Sequence, residues 1–120
     1  MAFRMNQKIS VAFLGEMEKA KEHFETRQFD KSWYHLERAH ILGQRFVWPH
    51  VKVHYEMLRF GLKQKDLREI LGQLIRIPGG FIGSLINKVP IGNPGGSNVK
   101  ATQSFPLPDD LAKMLKDSDG

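Results

Sequence analysis

Cysteine is absent from these 120 residues. That excludes disulfides, thiol nucleophiles, zinc ribbons and iron–sulfur clusters, and it leaves nitrogen and oxygen as the ligand atoms for any metal. It also fits a reducing compartment. Long apolar runs are missing as well. The weakly polar stretch from Ile77 is broken by Pro78, Gly79, Gly80 and Gly83, and no segment approaches the roughly 20 apolar residues of a membrane span. The opening residues carry neither a continuous hydrophobic run nor a small-residue cleavage site, so a secretory signal is not expected. The expectation is a cytoplasmic protein with no membrane partner.

Acidic residues are outnumbered by basic ones, and the formal charge is +5. Arg45, Lys52, Arg59, Lys63, Lys65, Arg68 and Arg76 supply much of the excess. No compact basic run or aromatic RNA-binding motif accompanies them, so they read as solvated helix surface, not as a nucleic-acid site. No Ser/His/Asp constellation stands out, and most acids fall on solvated faces, so no reaction is indicated.

What is present is helical periodicity in a chain of one-domain length. Asn6 is placed to cap a helix to about Arg27, with Phe13, Met17, Ala20 and Phe24 as its apolar stripe. Gln28-Phe29-Asp30 reads as a turn with Asp30 capping a second helix to about Gln44. Pro49 suits the first position of a third helix to about Leu62. Asp66 and Glu69 resemble a capping box that starts a fourth helix, with Leu67, Ile70, Leu71, Leu74 and Ile77 as its stripe. Pro78-Gly79-Gly80 is expected to end it. The predicted fold is therefore all-α: a compact bundle of about four helices over residues 1–77, an irregular Gly/Pro-rich covering segment over 78–108, and a short helix over 109–116.

The chemistry concentrates between Trp33 and Met57, which hold four of the five histidines. Glu37-x-x-His40 puts a carboxylate and an imidazole one turn apart, a pairing found in metal sites of helical bundles. His50-x-x-x-His54 gives paired imidazoles the helical zinc spacing. With a loop near residue 47, an antiparallel hairpin brings His40 level with His54. The candidate ligands for a divalent metal, zinc or another first-row transition ion, are His40, His50, His54 and Glu37. Gln44, Arg59, Gln73 and Arg76 are candidates for an outer shell or for a clamp between helices. The competing reading makes the histidines structural members of a tetratricopeptide-like hairpin whose partner is another protein. Asn93, Gly95 and Gly96 form a turn whose N–H groups could meet an anion, although the lysine of a P-loop is missing.

The stretch Ala39-His40-Ile41-Leu42-Gly43-Gln44, together with Asn93-Pro94-Gly95-Gly96, resembles a small bacterial family, domain of unknown function 3703. Its hallmarks read Ala-His-x-Leu-Gly-Gln and Asn-Thr-Gly-Gly. Pro94 stands where the family has Thr, so no hydroxyl role carries over to that position. The resemblance spans nearly the whole chain and implies no activity. It does imply that His40 and the glycine turn belong to one fold.

Overall fold

The computed structural model describes residues 5–86 and 88–119. Five helices follow in order: α1 (Gln7–Glu25), α2 (Phe29–Gly43), α3 (Val47–Gln64), α4 (Leu67–Leu85) and α5 (Asp109–Asp119). No strand occurs among the described residues. None of the described helices is long and apolar enough to cross a membrane.

Helix α1 begins as its sequence requires. The Asn6 side chain accepts from the Ile9 N–H at 2.8 Å, which satisfies one of the free donors of the first turn. The helix is capped by Thr26, and Arg27 after it has a left-handed φ of 61°. The Gln28 N–H then reaches back to the His23 carbonyl at 2.7 Å, the bond that closes a Schellman turn. That early closure starts α2 at Phe29 with no side-chain cap. Asp30, the predicted cap, therefore lies in the first turn of α2, two places inside the observed cap Gln28, where its charge still favours the N-terminal dipole.

Helices α1 and α2 close on small and apolar residues. Ile9, Phe13 and Ala20 meet Leu36 and Ala39 in the core, and the Ser32 hydroxyl donates to the Ala20 carbonyl at 2.7 Å. Leu111 and Leu115 of α5 are buried in the same cluster. Gly43 allows the next link: a Cβ there would meet the Phe13 ring at 2.9 Å and Pro49 at 3.2 Å. Helix α3 begins at Val47, so Pro49 occupies its third position instead of its first. The missing N–H still costs nothing, because the first four are unpaired in any helix.

Helix α4 departs furthest from expectation. Its start is as predicted, with Asp66 accepting from the Glu69 N–H at 3.1 Å. It then runs through Pro78 to Leu85 instead of stopping at Pro78. A proline in a helix interior costs about 3 kcal/mol, and tertiary contacts made by the last two turns offset that here. The second departure is its orientation. Leu67, Leu71 and Leu74, expected in the core, are each more than half exposed, while Glu69, Gln73 and Ser84 are buried. The polar face of α4 is its inner face, because the groups waiting there are polar too.

Candidate metal centre

Three imidazoles from two helices converge in the interior. His40 comes from α2, and His50 and His54 lie one turn apart on α3; each is at most 4% exposed. Their Nε2 atoms form a nearly equilateral triangle. His40 to His50 is 3.1 Å, His40 to His54 is 3.1 Å, and His50 to His54 is 3.0 Å. The link between α2 and α3 is residues 44–46, earlier than the loop expected near residue 47, and His40 lies equally close to both α3 histidines instead of level with His54 alone.

The other ring nitrogens fix the tautomers. His40 Nδ1 lies 2.6 Å from the Asn93 carbonyl oxygen, which can only accept. His54 Nδ1 lies 2.5 Å from Gln73 Oε1. The Gln73 amide NH2 is already donating, to Glu69 Oε2 at 2.6 Å and to the Gly95 carbonyl at 3.0 Å. His50 Nδ1 lies 2.7 Å from the Ser84 hydroxyl, and that hydroxyl gives its own hydrogen to the Gln44 carbonyl at 2.6 Å. Each Nδ1 therefore carries the ring proton, and each Nε2 presents a lone pair to the centre of the triangle.

Protonating one Nε2 would relieve this crowding, but the surroundings oppose it. Burial holds His50 down to about 3, with the neighbouring His54 as the next cause. Burial likewise holds His54 down to about 4, against a raising hydrogen bond from Gln73. His40 lies well below its ordinary value, first through burial and then through the two neighbouring imidazoles. The Arg76 charge adds to the lowering at His40 and His54. At neutral pH the cluster is three uncharged imidazoles with converging lone pairs.

Glycines permit the closeness. Gly95 has a φ of +90°, and a Cβ on it would fall 2.5 Å from the His40 ring. A Cβ on Gly80 would fall 3.0 Å from the His50 ring. The strap of residues 88–108 is fixed around Gly95 by Asn93, whose side chain donates to the carbonyls of Lys100 at 2.8 Å and Gln103 at 2.6 Å and accepts from the Gly95 N–H at 2.8 Å. A cavity of about 230 Å³ opens beside the triad, bordered also by Gln44, Arg76, Gly80 and Asn93. Two buried polar atoms of this wall, Gln44 Oε1 and Arg76 Nε, have no hydrogen-bond partner among the described residues.

The expected site residues divide as follows. His40, His50 and His54 form a group whose nitrogens all lie within 4.8 Å of one another, and Glu37 is not a member of it. One turn back on α2, Glu37 bonds with the Trp33 side chain, and burial raises its pKa, with the Glu69 charge as a smaller raising influence. Gln73 supports His54 directly, and Gln44 serves through its backbone carbonyl. Arg76 holds the strap by donating to the Val99 carbonyl at 2.8 Å. Arg59 lies elsewhere, paired with Glu56 at 3.2 Å on the α3 surface. In the glycine turn, Asn93 occupies the Gly95 N–H and Gly95 rests on His40, so these groups close over the imidazoles and do not form an open anion cradle.

Sequence reading missed Ser84, the Asn93 carbonyl and Glu69. Ser84 carries no local signal, and although Asn93 marks a turn, nothing local shows its carbonyl reaching His40: the partners lie 34 and 53 residues away. Glu69 was assigned to the α4 cap, yet its carboxylate turns inward and also accepts from the Ser97 N–H at 3.1 Å. A family model described as a protein of unknown function, DUF3703, matches residues 7–115. No curated protein and no solved structure matches the chain.

Proposed function

The chain belongs to this DUF3703 family, and we propose that it binds a divalent first-row transition-metal ion through the Nε2 atoms of His40, His50 and His54. The observation that carries the reading is the tautomer set. Three lone pairs held 3.0–3.1 Å apart, with all three ring protons committed to acceptors on the far side, repel one another unless a cation lies between them. A purely structural histidine cluster would place an Nε2–H against a neighbouring Nε2, and the bonding of the Nδ1 atoms leaves no such proton.

The dimensions suit an ion. The centre of such a triangle is about 1.8 Å from each nitrogen, slightly inside the 2.0–2.1 Å of a zinc–imidazole bond. His40, His50 and His54 would supply three nitrogen ligands and leave the remaining position of a four-coordinate ion to another donor. Asn93, Ser84 and Gln73 play the orienting part that outer-shell partners play for ligating histidines. All three imidazoles are neutral, so ligand type alone leaves zinc, nickel, copper, manganese and ferrous iron as candidates.

Calorimetric titration and elemental analysis of untagged protein test this. One equivalent of metal per chain, with a raised melting temperature, is the expected result. No metal on the purified protein, and no thermal shift with any of these five ions, would overturn it. Glu37→Gln is expected to leave the stoichiometry at one.

A further inference from the structure

Turning the polar face of α4 inward leaves its apolar face outside. Leu67, Leu71, Leu74, Pro78, Phe81 and Leu85 follow one another at steps of four, three, four, three and four. That is the spacing of a seam along which one helix packs against another. The four leucines are between 41% and 66% exposed. Ile75 and Ile82 flank the seam at 74% and 57% exposure. Phe81 also meets the exposed Trp48 of α3, ring centroids 5.8 Å apart, and so extends the surface sideways.

The face carries no charge along its length. Of the charged residues on α4, Glu69 is buried, Arg76 bonds inward to the strap, and Arg68 lies beside the seam at its first turn. An uncharged stripe offers nothing to an acidic partner. On a chain of charge +5, it is the surface where like-charged copies can approach with least repulsion. With Leu67, Leu71, Leu74, Ile75 and Ile82 all more than half exposed, the contiguous apolar patch is on the order of several hundred Å², larger than a monomer surface ordinarily leaves open and of the order that each partner of a stable interface contributes.

We propose that the outer face of α4 docks against the same face of a second copy, forming a two-fold symmetric dimer with paired α4 helices. A stripe that serves as its own complement closes the assembly at two copies and leaves no open end. The histidines lie on the opposite side of α4, so the pairing does not depend on a bound ion.

Sedimentation velocity on the metal-free full chain tests it. The expected result is a dimer at micromolar concentration. Leu71→Glu/Leu74→Glu is expected to sediment as a monomer with unchanged helical circular dichroism and unchanged metal uptake. Ile75→Arg alters only an exposed flank and guards against misfolding of the double variant. It is expected to weaken the dimer at least about tenfold. A monomeric wild type, or a dimer that survives both variants, overturns the proposal. So does a monomer that cosediments with phosphatidylglycerol vesicles, which would make the face a lipid surface. Because the assay uses metal-free protein, its failure leaves the metal reading standing, and loss of metal binding leaves the dimer standing.

Discussion

Two histidine clusters share α2, and their rings face different things. At the outer cluster His23 stacks on His35 with centroids 5.3 Å apart and planes 4° from parallel. His35 Nδ1 meets Glu16 Oε2 at 2.6 Å. Arg38 joins through Glu16 Oε1 at 2.8 Å and continues to Asp110 of α5. Here the Arg38 guanidinium is shared between two carboxylates and His35 bonds to one of them. At the inner cluster the imidazoles face each other, their outer nitrogens are bonded to uncharged groups, and among the described residues no carboxylate joins the group. A histidine beside an acid is a structural tie. Histidines that present lone pairs to one another make the candidate metal centre proposed above.

The sharpest break of this comparison is a pair of alanine variants. His40→Ala removes one of the three proposed ligands and is expected to lower metal affinity more than the 10–100-fold typical of losing an outer-shell partner. His35→Ala is expected to leave affinity unchanged. Calorimetric titration of both variants with zinc and nickel checks this, and equal losses would dissolve the distinction.

Acid titration comes next. In the unfolded chain each histidine takes its proton near about 6.5, while in the fold His54 does so at about 4 and His50 at about 3. Between those values the unfolded state binds more protons, so acid favours unfolding. The metal-free protein is expected to hold full stability above about pH 6.5 and to lose several kcal/mol as pH falls toward 4, at up to about 1.4 kcal/mol per histidine per unit. Urea melts at stepped pH measure it. A flat profile would contradict the neutral, buried triad.

A smaller effect is expected at the support. Gln73→Leu removes the acceptor of the His54 ring proton and is expected to weaken metal binding by about 10–100-fold while stoichiometry stays at one. Smallest is the outer cluster's exposed end. Asp110→Asn weakens the pair with Arg38, and a surface ion pair is worth about 0–1 kcal/mol. A chemical melt that shows a larger loss would mean the outer cluster is more than a tie.

The convergence of His40, His50 and His54 was legible because helical spacing is local. His50 and His54 sit one turn apart on any helix, and the short link after Gln44 nearly dictates that His40 meets them. The all-α class was legible for the same reason. The inner face of α4 was not. Its leucines and its Glu69–Gln73–Ser84 row are both helical stripes, and burial normally favours the apolar one. Only the partners that satisfy the polar row reverse the choice, and those partners are distant in sequence. Glu37 shared a turn with His40, yet one helical step directs it toward Trp33. Pro78 read as a stop because its cost is local, whereas the contacts of Ser84 that offset it are not.

The strap over the site contains neither helix nor strand from residue 88 to 108, but its amides are not idle. The Gly95 N–H is held by Asn93, that of Ser97 by Glu69, and that of Phe105 by the Ile91 carbonyl at 3.0 Å. In hydrogen-exchange terms this irregular segment should behave as part of the core. Its Gly95 amide should exchange on the timescale of α3 and not of a surface loop, and the Asn93→Ala variant should release it.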